Sequence, residues 1–356
     1  TVPRRGTDPR PDARRGGGVT GVLAGVAGRH VSALVVLFWC AATALAPFLA
    51  PWALSVVVAC AAPVLALGWA GLTQVPLSRA EVGVCALAGA AGAVAVQVTR
   101  DLSATTTVLA LGFVALSVAV LASRGSVGSD VSRGPAGSGR PPRAVGSVPS
   151  SAPTRTDVIP DPVRSTRSSV PLAAVGAPVP RRRRSGRRHD SAALPSLLSA
   201  PAAACCLLVA VGGSAWVALS VRDQWLPAVP FTCLLAVVVV LGDQVGGTFR
   251  SNSIGAVLTG VVCGAVAGSA LDTFGPRGVP VSTVLPSLAR LVGERPASVL
   301  AGIVVGLAVA LVVIAVDGLL GDHARPTSLT GAIARGTAKF LVAVLPVYAL
   351  IRIGGI

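Results

Sequence analysis

Two aspartates stand against long apolar runs. Asp243 comes after four valines, a leucine and a glycine in "VVVVLGDQVGGTFRSN", and Asp317 interrupts "LVVIAVDGLL". Gln244 and Arg250 lie in the same stretch as Asp243, and Gln97 is a further polar group near the end of an apolar run. An ionisable side chain removed from water carries a large desolvation cost, so such groups mark either an ion or proton path or a helix end that reaches back to water. Asp243, Arg250 and Asp317 are expected at one boundary, either as helix-end residues reaching headgroup water or as the lining of a polar entrance; Gln244 and Gln97 complete the candidate set. Little else points to chemistry. His30, His189 and His323 all fall in polar segments, there is no phosphate-binding glycine loop, and Ser214 in "GGSAWVAL" has no base placed near it by spacing. No catalytic residue, cofactor or metal is expected. The cysteines, at 40, 60, 85, 205, 206, 233 and 263, all lie in apolar stretches, without the water-accessible spacing of a disulfide framework or zinc site, and read as small buried hydrophobes.

The elements that must hold these groups follow from composition. The chain of 356 residues is 53% hydrophobic and only 12% charged, with a mean hydropathy of +0.75. A soluble domain carries about 25% charged residues, so the expected class is an all-α integral membrane protein, a polytopic helical bundle. One crossing takes about 20 apolar residues. Residues 31–72 carry no charge and make two spans, with a break at "APFLAP" (46–51) where Pro47 and Pro51 suit a turn. Further spans are expected near 81–99, 103–122, 198–220, 226–246, 253–271, 297–317 and 337–354, nine altogether. This divides the chain into a basic disordered tail (1–30), a four-span half (31–122), a disordered Arg/Pro/Ser-rich linker (123–197) and a five-span half (198–356). The stretch "VSTVLPSLARLVGER" between the seventh and eighth spans reads as a short interfacial helix.

The arginines orient the bundle. Basic residues near span ends stay on the cytoplasmic face. Four spans between the two basic regions put both on one side, together with Arg79, Arg250, Arg325, Arg335 and Lys339; Arg100, Arg222, Arg277, Arg290, Arg295 and Arg352 fall on the other. The expected location is the plasma membrane, with N-terminus and linker cytoplasmic and C-terminus outside. Arg181, Arg182, Arg183, Arg184, Arg187 and Arg188 then form a juxtamembrane polybasic patch for anionic lipid headgroups, worth about 1 kcal/mol per basic residue at the surface. Without interleaved aromatics, the patch does not read as a nucleic-acid grip.

Small residues set the expected packing. Gly260, Gly264 and Gly268 recur every four residues, as do Gly302 and Gly306, a spacing that lets helix backbones approach closely. The glycine-rich third and seventh spans are expected at the bundle centre. The partner helices could equally belong to a second copy, which leaves a homo-oligomer or a membrane-protein partner open.

Two resemblances add to this reading. Gly242, Asp243 and Arg250 resemble part of the basic signature of phosphatidate cytidylyltransferases, which implies a lipid-modifying enzyme with a metal at acidic side chains. The lysine-arginine pair, the Pro-Gly-His-Gly-Gly stretch and the Asp-Arg-x-Asp motif of that family are absent. "LALGWAGL" (65–72), "GGSAWVAL" (212–219) and the four-plus-five layout resemble multi-span proteins of actinobacterial type, which implies no particular activity. The leading functional expectation is a transporter or permease; the alternative is a non-catalytic envelope or scaffold protein that recruits partners through the linker.

Overall fold

The computed structural model describes residues 18–130, 193–222, 225–246, 248–274, 286–320 and 328–353. The described residues form helices and no strands: α1 (Gly18–Leu49), α2 (Ala53–Thr73), α3 (Arg79–Thr99), α4 (Ser103–Asp130), α5 (Ala193–Gly212), α6 (Ala215–Ser220), α7 (Ala228–Gly242), α8 (Phe249–Phe274), α9 (Pro286–Val292), α10 (Glu294–Leu320), α11 (Leu329–Ala343) and α12 (Leu345–Ile353). Eight apolar helical segments are long enough to cross a membrane: His30–Leu49, Ala53–Thr73, Arg79–Thr99, Ser103–Ala122, Leu198–Ser220, Phe249–Ala270, Glu294–Leu319 and Leu329–Ile353. The protein is a multi-pass helical bundle. The expected sixth span is the exception: α7 has 15 residues, about 22 Å at 1.5 Å per residue, short of a hydrocarbon core about 30 Å thick. Pro227 precedes its start, and Gly242 with the polar pair Asp243-Gln244 closes it.

Local chemistry accounts for the boundaries. Ser78 and Glu81 make a reciprocal capping box at the start of α3: the Glu81 backbone N–H donates to Ser78 Oγ at 3.2 Å, and the Ser78 N–H donates to Glu81 Oε2 at 2.7 Å. Asp101 opens α4 by accepting the Ser103 N–H and hydroxyl, and these two bonds hold its carboxyl below the usual carboxylate range. The first turn falls at residues 50–52, so Pro47 lies in the last turn of α1. The last span starts earlier than expected, at Leu329 instead of 337, and is broken at Val344, where Pro346 lacks the N–H that a continuous helix would donate to Val342. Helix α1 begins at Gly18, inside the expected tail, α4 runs to Asp130 and α5 starts at Ala193, inside the expected linker. The rest of both regions, with the 181–188 patch, His323 and Arg325, lies outside the described residues. A short helix, α9, does occur within the "VSTVLPSLARLVGER" stretch.

Packing departs from expectation in one respect. The centre of the bundle is not the glycine-rich α3 and α8 but α5–α6, α2 and α11–α12, whose spans are the most enclosed. Glycines make a helix one-sided here. Gly260, Gly264 and Gly268 of α8 lie so close to Gly306, Gly302 and Ser298 of α10 that an added Cβ would run into the facing carbonyl. The opposite face of α8 exposes Ile254, Leu258, Val262 and Val266, four apart. Exposed Leu34, Phe38 and Leu45 do the same for α1. Apolar surface of this extent has lipid as its natural solvent.

Cysteines also divide. Cys40, Cys85, Cys206 and Cys233 are buried, whereas Cys60 and Cys205 are exposed and Cys263 is half-buried. The thiols of Cys40 and Cys233 neighbour one another, as do those of Cys85 and Cys206, each pair joining one half of the chain to the other.

Candidate functional site

Helix α11 carries "LTGAIARGTAKFLVA". Its small residues set the geometry around it. A Cβ on Gly336 would meet the Ser32 carbonyl of α1 at 2.5 Å, and one on Gly331 would meet the Gly71 carbonyl of α2 at 2.8 Å. Two helices therefore close on α11 at near-backbone distance and shut its long side chains away from water. Trp39 of α1 and Trp216 of α6 both stack on Phe340, with ring centroids 6.0 and 5.0 Å away. Trp39 Nε1 donates to Thr337 Oγ1 and Trp216 Nε1 to the Phe340 carbonyl, both at 3.1 Å. These stacked rings and their two hydrogen bonds fix the rotation of α11 within one turn of Lys339.

Lys339 is 2% exposed. Its Nζ donates to Asp243 Oδ2 at 2.5 Å and to Asp317 Oδ2 at 2.8 Å. Arg335, one turn earlier on the same face, sends Nε and a terminal nitrogen to Asp317 Oδ1, each at 2.9 Å. Two cations and two carboxylates, contributed by α7, α10 and α11, thus form one neutral cluster. Asp243 and Asp317 are 6% and 5% exposed. The desolvation of each charge is offset only because its partner is present at hydrogen-bond distance; a buried pair that loses one member is destabilised by about 3–5 kcal/mol.

Beside the cluster lies a polar cavity of about 20 Å³, lined by Ser32, Asp243, Gln244, Asn252, Arg335 and Lys339. A space of that size holds about one water molecule. Three of its lining oxygens, Ser32 Oγ, Gln244 Oε1 and Asn252 Oδ1, are buried and have no hydrogen-bond partner among the described residues. The turn after α7 brings them together. A Cβ on Gly246 would collide with the Ser251 hydroxyl and with Asn252, so glycine at 246 is what lets the start of α8 fold back beside Asp243.

Of the candidates read from sequence, Asp243, Gln244 and Asp317 meet here. Arg250 is exposed, away from the cluster. Gln97 lies at the far end of the bundle, where its Nε2 is 3.4 Å from the Pro51 carbonyl. Lys339 and Arg335 correct the reading of the last span: counted among cytoplasmic loop charges, they instead sit inside a helix and neutralise the two aspartates. Ser214 is buried with its hydroxyl donating to the Val211 carbonyl at 2.7 Å, a structural role. Asp243, one of the positions that carry the cytidylyltransferase resemblance, is tied to Lys339, and the described residues contain no group of three His, Cys, Asp or Glu placed to hold a metal ion. No protein-family model, curated protein or solved structure matches the chain.

Proposed function

We propose that the protein is an ion-coupled transporter of the permease type, with the Asp243–Lys339–Asp317–Arg335 cluster at its working centre. The observation that carries this reading is a set of four ionisable groups among apolar helices, three of them buried and Arg335 partly exposed, next to a polar cavity. Intramembrane ionisable groups are costly to keep, and their usual uses are substrate sites and proton relays. A cluster shared among three helices also links their positions: protonating or displacing one member changes the balance that holds α7, α10 and α11 together. On the orientation expected from the arginines, the cavity lies on the cytoplasmic side of the bundle, near the start of the first span.

The test is flux. The purified chain is reconstituted into vesicles that trap a pH-sensitive dye, and gradients of sodium, potassium, ammonium and chloride are imposed in turn. The reading predicts a proton flux driven by at least one of these ions, abolished by Asp243→Asn and by Asp317→Asn in variants that stay folded. Vesicles no leakier than protein-free ones under every gradient would reject it.

A further inference from the structure

We propose that Asp243, and not Asp317, is the member of the cluster that takes up and releases a proton, and that the proton reaches it through one water molecule held in the adjoining cavity. This rests on the transport reading and deepens it by naming the carrier of the coupled proton. The first ground is an asymmetry between the two acids. Both oxygens of Asp317 are held by cations, Oδ1 by Arg335 and Oδ2 by Lys339. Asp243 meets a cation through Oδ2, from Lys339. That one ammonium is shared, so the two carboxylates lie side by side and their like charges disfavour one another. A proton on Asp243 relieves the repulsion and leaves Lys339 and Arg335 both paired, with Asp317. A proton on Asp317 would strand the Arg335 guanidinium. The charged groups that face Asp243 are Lys339 and Arg335 of α11 and Asp317 of α10. Helices α1 and α8 offer the neutral Ser32 and Asn252, while their His30 and Arg250 are exposed, and α6 has no ionisable residue.

The second ground is access. Asp243 is among the residues that line the cavity and Asp317 is not. The three lining oxygens without partners match the hydrogen bonds of a single water: the Ser32 hydroxyl donates to it, and its two protons go to Gln244 Oε1 and Asn252 Oδ1. Arg335 also lines the cavity, and its side chain is 21% exposed, so outside water comes nearest on that side. For transfer, the held water turns one proton from an amide oxygen to Oδ1 of Asp243. The carboxyl O–H forms as that O–H of the water breaks, and a hydronium on the Arg335 side returns a proton to the water. The sum is one proton taken from outside and one carboxyl O–H made, with no change of oxidation state. Lys339 stays an ammonium bound to Asp317, and the neutral cluster becomes singly positive. A charge change of this kind at the junction of α7, α10 and α11 is what a coupled proton must produce.

Infrared titration of the full chain in detergent tests the assignment without any flux measurement, because a protonated carboxyl has a carbonyl stretch that a carboxylate lacks. Subtracting Asp243→Asn from the parent should leave one such band, which grows as pH falls while circular dichroism shows the helices intact. Two further variants, Ser32→Ala and Asn252→Leu, leave all four charges in place and alter the cavity. In them the band should change frequency, since the Asp243 proton lies against these side chains, and its shift on transfer to heavy water should be slower than in the parent. The proposal is overturned if no acid-dependent band appears while the protein is folded, if the band survives Asp243→Asn, or if its frequency and exchange rate are the same in both cavity variants as in the parent, which would put the proton on Asp317. The expected band in a protein without vesicle flux would uphold the proton site and reject the transport reading. Flux without the band would uphold transport and reject Asp243 as the carrier.

Discussion

At the scale of single residues, the protein turns on a lysine that replaces water for two aspartates. Lys339 spans Asp243 and Asp317, whereas Asp317 has Arg335 as well. The consequences of removing the lysine are therefore unequal. Lys339→Met leaves Asp243 buried without a partner and should lower unfolding stability in detergent by about 3–5 kcal/mol. Adding Asp243→Asn removes the stranded charge, so the double variant should be more stable than the single lysine variant, a non-additive cycle. If the two losses simply add, the ion pair is not what the structure describes. The aspartates were legible in the sequence because an acid in an apolar run has few explanations. Lys339 and Arg335 were not, because a basic residue near a span end reads first as a loop charge under the positive-inside rule. Whether such a charge is affordable inside depends on its acids, and Asp243 is 96 positions away. One signal was present: Lys339 is the single lysine among 30 basic residues, and a compact ammonium fits between two carboxylates where a guanidinium is broader.

At the scale of elements, glycine spacing decides which helices meet. The repeats at 260, 264 and 268 and at 302 and 306 were readable as contact faces, and α8 and α10 do meet there. Periodicity could not say that such a helix sits at the edge, because one tight face is compatible with an opposite face in lipid. The reverse holds for α11. Only its second half, from residue 337, reads as part of a span, with Gly331 and Arg335 left to the preceding loop, yet the whole helix is among the most enclosed. The fit between halves rests on pairs that sequence spacing does not reveal, such as α3 with α5. Cys85 of α3 and Cys206 of α5 are both buried with neighbouring thiols, as are Cys40 of α1 and Cys233 of α7. In membranes treated with a lipid-permeant oxidant, a chain cut by trypsin at the linker arginines should remain one band on a non-reducing gel. It should separate into two halves after reduction, and also when Cys85 and Cys40 are both replaced by serine. Two separate halves in the oxidised parent would mean that the halves are packed differently.

At the scale of the whole molecule, the helices follow one another in antiparallel alternation. Ser32 meets Gly336, Gly68 meets Thr330 and Trp69 reaches Ala202, so the start of the first span, the end of the second and the starts of the fifth and last lie at one end of the bundle. Composition alone announced a helical membrane protein, and nine apolar stretches each became a helix. The shortness of α7 is hidden in the sequence because the expected span runs through Asp243 and Gln244 to residue 246, whereas the helix starts only after Pro227 and stops at Gly242. The central claim is that the last span carries its lysine within the bundle and not on a water-facing loop. Because that lysine is unique in the chain, acylation by a membrane-permeant amine reagent, read by mass spectrometry on the peptide containing residue 339, reports one group. The account predicts that Lys339 stays unmodified in folded protein and reacts fully once the protein is denatured in detergent; equal modification in both states would contradict it.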